Sequence, residues 1–350
     1  MKRHFKTFSS LIAAVLLLCT FTLPGGAAAL QKDKAVNYIR TQMDGYTVKQ
    51  SVSPQNYQAM QSSLAKQGLS KREMNRQILK ETGFTRENDP AFEAILDAME
   101  GGSSFEVITQ YIKETPSGQK IQMRKESFER AVMEEASKQN RQLRAPSGDY
   151  GGTEEPPSSY DGYVRMAVLY VHTVKGTEHY YGSFGTLEWV IMPFTRMTDA
   201  MSFYADDLSW NNKNSNNYGD YGFFWTADYT ERYAATNKTY QRSESEERDA
   251  HTVERFHDGF YYKFHLPSDA VLSGGQIIYT RFQITICGLG ELKNNSTNSF
   301  NITLKYAHTR LRISSDLSFS WSTGGKYPGV TFSLAPSIGT TYYGLPCKVS

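Results

Sequence analysis

The chain has 350 residues, 39% hydrophobic and 21% charged, which excludes a mostly disordered polymer and leaves room for two cores. Lys and Arg number 38 against 36 Asp and Glu, a formal charge of +2, so no basic excess points to nucleic acid and no acidic excess to a basic partner. Composition therefore bounds the protein class without naming an activity.

The chain opens with Lys2, Arg3 and Lys6, then the uncharged run Leu11 to Leu18, the breakers Pro24, Gly25 and Gly26, and the small residues Ala27, Ala28 and Ala29. This is the three-part pattern of a secretory signal peptide, residues 1–29, with cleavage expected after Ala29. The apolar stretch falls short of the ~20 residues that span a bilayer as a helix, and no later segment is long and apolar enough, so no transmembrane span is expected in the mature chain. Secretion to the extracellular side follows as an expectation. Two cysteines, Cys287 and Cys347, lie beyond the leader, and in an exported protein they are expected to form a disulfide that ties down the C-terminus.

Residues 30–145 are expected to form a helical domain. Val36, Ile39 and Met43 suggest a first helix before Gly45. Ser53 with Pro54 opens a second, carrying Tyr57, Met60 and Leu64. Ser70 and Glu73 spell a capping box ahead of Met74 and Ile78, with Gly83 as terminator. Asp89 and Pro90 start another, with Phe92, Ile95 and Met99 in register. Ser103 and Glu106 repeat the capping-box spelling before Val107, Tyr111 and Ile112, and a long charged helix is expected from about Gln119 to Leu143. Short connections imply antiparallel neighbours in a small bundle. The segment Leu64 to Met74 looks like a helix-turn-helix, but an exported chain without a basic face has no use for one, and no nucleic-acid partner is expected.

Residues 146–159, rich in Gly, Pro and Ser, read as a linker. Aromatic content changes across it, from 8 residues in 30–145 to 35 in 146–350. Residues 160–350 alternate like strands: Tyr163 to Val174, Thr186 to Met192, Phe260 to Phe264, Ile277 to Ile286, Phe300 to Tyr306, Leu317 to Trp321 and Val330 to Leu334. The expected class is a two-domain α+β protein, an N-terminal helical bundle followed by an antiparallel β-sandwich of jelly-roll type.

Few segments spell chemistry. His251, His257 and Asp258 are the densest metal-ligand types, but the order lacks a zinc-protease pattern and lies at a strand end, so no metal is expected there. Asp206, Asp207 and the Asn run 211–217 offer oxygen ligands that calcium could use, although the glycine and glutamate of an EF-hand loop are missing; no other cofactor is expected. No nucleophile elbow, P-loop or dinucleotide glycine pattern occurs, and Glu188 with Asp199 is the carboxylate pair that a glycosidase reading would need. Between Trp210 and Trp225, Asn212, Asn214, Tyr218 and Tyr221 combine rings with amides, the chemistry that stacks on sugar faces and takes up hydroxyls. Trp210, Asn212, Asn214, Tyr218 and Tyr221 are therefore the expected binding residues.

Trp189, Pro193, Arg196 and Asp199 form the spacing Trp-x3-Pro-x2-Arg-x2-Asp at a strand end. With the strands that follow, over residues 160–350, it is similar to a segment of uncharacterised secreted proteins of Gram-positive bacteria with a β-rich C-terminal domain. That resemblance implies location and fold and no activity. From the residues alone, Arg196 is expected to pair with Asp199 across a bend. The functional expectation is a secreted, non-enzymatic binding protein whose partner is a cell-envelope polysaccharide or a surface protein. A membrane-active, toxin-like protein and an extracellular hydrolase are the alternatives.

Overall fold

The computed structural model describes residues 38–66, 68–84, 87, 91–142, 161–193, 198–210, 224–233, 236, 238–246, 253–256, 258–267, 270–272, 275–294, 299–309, 318–322, 329–333 and 340–349. Within them the chain is mixed α+β and mostly strand, with four helices confined to its N-terminal part and two large antiparallel sheets.

Two helices begin where their local signals stand. Helix α1 (Pro54–Ala65) is capped by Ser53, whose hydroxyl accepts the Asn56 N–H, with Pro54 in the first turn. Helix α2 (Lys71–Thr82) starts with the complete Ser70/Glu73 capping box and ends at Gly83. Helix α3 (Ala91–Gly101) buries Phe92, Ile95 and Met99, and α4 (Lys125–Gln142) follows after two strands. Arg72 on α2 reaches three carboxylates of α3, Glu93, Asp97 and Glu100, and so clamps the two helices side by side.

Two expected helices are strands instead, and the long charged helix starts later than expected, at Lys125. The segment around Ile39 and Met43 belongs to a hairpin, β1 (Arg40–Asp44) with β2 (Thr47–Val52). Ser103 and Glu106 cap nothing: residues 104–114 form β3 (Ser104–Glu114), and Glu106 is held by Lys49 at 2.7 Å. Val107, Ile108, Thr109 and Ile112 of β3 are buried, and their β-branched side chains favour the pleated surface on which they pack. Lys120–Met123, expected as the start of the long helix, is β4.

Strand β3 then pairs along its whole length with β5 (Gly162–Lys175), from Ser104 opposite His172 to Glu114 opposite Gly162. One hydrogen-bonded sheet thus carries strands from both sides of segment 146–159, and the N-terminal part is not a bundle of helices alone. That sheet runs β1-β2-β3-β5-β6-β14-β9-β10, with β6 (Glu178–Ile191), β14 (Gly275–Leu292), β9 (Phe224–Tyr233) and β10 (Lys238–Glu246); β4, β8 (Leu208–Trp210) and β13 (Ala270–Leu272) pair at its margins. The second sheet runs β11-β12-β7-β15-β18, with β7 (Thr198–Tyr204), β11 (Val253–Phe256), β12 (Gly259–His265), β15 (Phe300–Thr309) and β18 (Thr340–Val349). β16 (Ser318–Ser322) and β17 (Gly329–Ser333) form a separate hairpin.

The central strands of the large sheet are buried on both faces, which produces three layers. Val164, Met166, Val168, Leu187, Trp189, Ile284 and Ile286 face the second sheet and meet Phe203, Phe260, Ile302, Leu304 and Tyr306. On the alternate parity Ala167, Leu169, Val171, Phe184, Cys287 and Leu289 face the helices and meet Tyr57, Met60, Ile78, Phe92 and Ile95. Helix α4 closes one corner through Phe128, packed on Tyr111 and Tyr163. Each fully buried large aliphatic or Phe side chain contributes roughly 1.5–3 kcal/mol, so the two inner layers supply the main driving force.

The same alternation settles the cysteines. Cys287 is a buried free thiol, which corrects the expected Cys287–Cys347 disulfide. Cys287 points to the helical layer, whereas the backbone of Cys347 lies in β18, opposite Ile302 in the second sheet on the other side. Burial pushes the Cys287 thiol well above its ordinary pKa, which suppresses the thiolate. Native protein should therefore leave Cys287 unmodified by iodoacetamide, while denatured protein that was never reduced should alkylate it fully. Peptide mass spectrometry checks this, and an unreactive Cys287 in the denatured, unreduced chain would count against a free thiol.

Candidate functional site

A cluster of ionisable and polar side chains lies between the two sheets, at the end where β3, β6, β7 and β15 come together. Strand β15 carries Ile302, Leu304, Tyr306 and His308 on one parity, so the last two are driven into the apolar layer with the first two. Opposite them, β6 delivers Trp189 and β3 delivers Glu114, while β7 beside β15 delivers Asp199. Tyr306, His308, Asp199 and Trp189 are fully buried and Glu114 nearly so.

The contacts form a chain across the layer. Trp189 Nε1–H donates to the Tyr306 hydroxyl at 2.9 Å, and that hydroxyl donates to Asp199 Oδ2. His308 Nδ1–H donates to the Asp199 carboxylate at 3.0 and 3.1 Å from its two oxygens. On its far side His308 Nε2 is 3.8 Å from Glu114 Oε1. Burial first, then the Asp199 charge, raises the Tyr306 phenol well above its usual range, so it stays protonated and acts as a donor. Around the margin, burial lowers the pKa of Lys120 and of Lys305.

Part of the sequence motif at 189–199 converges here. Trp189 and Asp199 meet through Tyr306, and Pro193 is buried next to Gly162. A Cβ at Gly162 would stand 2.7 Å from the Trp189 ring and 3.2 Å from Pro193 Cα, so glycine is the residue that lets β5 pass. Arg196 lies outside the described residues. Asp199 has partners from β15 that no spacing within 189–199 could show. The residue types are those of an acid–base relay, but their reactive atoms face one another inside a packed layer. In this arrangement they hold protons internally and bind strand to strand.

The other expected residues separate. Glu188 does not join Asp199: it projects from the opposite face of β6, where Arg165 (2.7 Å) and Arg281 (2.6 Å) grip its two oxygens. The carboxylate pair of a glycosidase is therefore not assembled. Trp210, expected in an exposed binding patch, is 9% exposed and packs edge-on against Phe260, with centroids 5.0 Å apart. It ends β8 on the same parity as buried Leu208, which places it in the core. Asn212, Asn214, Tyr218 and Tyr221 lie outside the described residues, as do His251 and His257. Asp258 is described: Lys293 Nζ is 2.8 Å from its carboxylate and 2.7 Å from the Asp206 carbonyl. An ammonium thus occupies the place where a cation beside Asp206 and Asp258 would sit. Among the described residues no group of three His, Cys, Asp or Glu has metal-binding geometry.

One histidine pair escaped notice in the sequence. His172 on β5 and His179 on β6 join through Nε2 and Nδ1 at 3.0 Å, and His172 stacks on Tyr181. Burial, and then His179, lower His172 to a pKa of about 4, so it is neutral at pH 7. The pair links β5 to β6 close to the turn that joins them.

No protein-family model matches the chain, and no curated protein matches it either. Among solved structures, Clostridium perfringens delta-toxin aligns with 89% of this chain and 96% of its own at 6% identity and a TM-score of 0.22. A structure described as manganese lipoxygenase of Gaeumannomyces graminis with partial zonadhesin of Komagataella pastoris aligns with 70% of this chain and 87% of its own, at 8% identity and a TM-score of 0.22. Similarity of that degree carries no argument about this chain.

Proposed function

We propose that the chain is a secreted, non-enzymatic binding protein, a β-sandwich that offers the aromatic and amide-rich segment between β8 and β9 to a cell-envelope polysaccharide. One observation supports this most. β8 and β9 pair with the same side of β14 along one line: Trp210 lies opposite Gly290 and Phe224 opposite Cys287. Only Gly288 and Leu289 of β14 separate these two points, about 10 Å of strand. Residues 211–223 are thus an insertion into an otherwise continuous strand line. Such an insertion is not needed to complete the ladder, and its Asn212, Asn214, Tyr218 and Tyr221 have the chemistry of sugar contact. Trp210 is left out of the contact set, because its ring belongs to the core.

The signal-peptide pattern of residues 1–29 supports the extracellular side of this reading. The burial of the Asp199–His308 cluster favours binding over catalysis, because a substrate would have to open the layer between the sheets to reach it. The test is a Tyr218→Ala/Tyr221→Ala variant in sedimentation assays with insoluble envelope polysaccharide and on a glycan array. Loss of two ring contacts at ~2 kcal/mol each should weaken binding by several hundredfold, with an unchanged melting temperature. A well-folded double variant that binds as tightly as the parent would sink the proposal, as would a parent chain that binds no polysaccharide.

A further inference from the structure

We propose that β1 is a self-complementary sheet edge through which two copies of this chain join across a two-fold axis at Gln42. Among the described residues β1 pairs with β2 alone, at the end of the large sheet, and all five of its residues are exposed. The turn at Gly45 and Tyr46, with Gly45 at φ 59°, joins Asp44 directly to Thr47. In a two-residue hairpin that closing pair is hydrogen-bonded, and alternation makes Gln42 with Lys49 and Arg40 with Ser51 hydrogen-bonded too. Thr41 and Met43 therefore aim their N–H and C=O groups outward, along the open edge.

A second copy meets this edge in one consistent antiparallel register. Thr41 would lie opposite the second copy's Met43, and Met43 opposite its Thr41, so all four outward residues exchange backbone bonds. The same register sets Gln42 against Gln42 on the axis and Arg40 against Asp44 at both ends. Both end pairs join opposite charges, and both fall at the closer, non-hydrogen-bonded positions where cross-strand side chains interact most strongly. The interface is isologous, as a two-fold dimer requires. Met43 and Tyr46, 55% and 48% exposed, would add apolar surface beside the new pairing. The opposite edge strand, β10, lacks this symmetry: paired about its own centre it would set Arg242 against Arg242.

Sedimentation velocity of the full chain over a dilution series reaching millimolar protein reads the association directly. Asp44→Arg sets Arg against Arg at both ends and should weaken the dimer about tenfold, since each like-charge opposition reverses a favourable pair. Arg40→Asp/Asp44→Arg restores opposite charges and should return the association to within a few-fold of the parent. Met43→Pro removes an outward N–H without touching the bonds to β2 and should give monomer. A monomeric parent at every concentration overturns the proposal. So does a parent dimer that Asp44→Arg and Met43→Pro leave intact, or a folded charge-swapped chain that stays monomeric.

Discussion

Asp199→Ala should destabilise the protein by roughly 3–5 kcal/mol, read as a fall in the denaturant midpoint at unchanged slope. The carboxylate accepts from both Tyr306 and His308 inside a layer with no exposed surface, so its removal strands two buried donors at once. Tyr306→Phe should cost less, about 1–3 kcal/mol, because it removes one hydroxyl and leaves the His308–Asp199 contact in place. The order of the two losses separates a charge-centred cluster from a simple hydrogen-bond chain. If Tyr306→Phe proves the more damaging, or if Asp199→Ala costs under about 1 kcal/mol, then Asp199 is not what joins these strands.

Glu188→Ala should cost a similar ~3–5 kcal/mol through a different mechanism. Arg165, Glu188 and Arg281 sit on three adjacent strands, and Arg281 also donates to Gln283 at 2.8 Å. Without the carboxylate, the buried Arg281 and the partly buried Arg165 remain beside each other with like charge. Replacing all three by apolar residues of similar volume should recover most of the loss, since buried triads are often no better than well-packed hydrocarbon. The ions have another use here. β5, β6 and β14 are apolar on both faces, so the alternation that normally fixes register says little, and a slip would bury one apolar set in place of another. Arg165 opposite Glu188 opposite Gln283 marks the one alignment in which these charges meet. Native-state hydrogen exchange should therefore show weaker protection along β5 and β6 in the apolar triple variant than in the parent at equal global stability. Equal protection would reduce the triad to packing.

Local signals were legible and non-local ones were not. Helices α1 and α2 begin at Ser53 and Ser70 because capping is a bargain between residues three apart, which a sequence displays openly. Ser103 and Glu106 carry the same spelling, yet Lys49 from a neighbouring strand takes the glutamate, and β3 forms where β2 and β5 offer it partners on both sides. The strands β5, β12, β14 and β15 were visible from alternation. The alternation of Ile302, Leu304, Tyr306 and His308 also held the clue to the inter-sheet cluster: an ionisable residue on a core-facing parity must find a buried partner. The identity of that partner was hidden, because Asp199 lies over a hundred residues earlier and no spacing encodes the meeting. Trp210 was misread because the polar run after it suggested exposure, while Leu208 two residues before it already set the parity.

The pairing of β6 with β14 also bears on how the chain is made. Trp189 finds Phe282 across the ladder, and β14 is the strand on which β8, β9 and β13 are then assembled. A ribosome adds ~5–20 residues each second, so the open side of β6 waits on the order of ten seconds for its neighbour to be synthesised. During that interval an apolar strand edge is open, a template on which an extended segment of another chain can pair. Production of this protein should thus be limited less by its final stability than by how well its surroundings shield that edge until β14 has emerged.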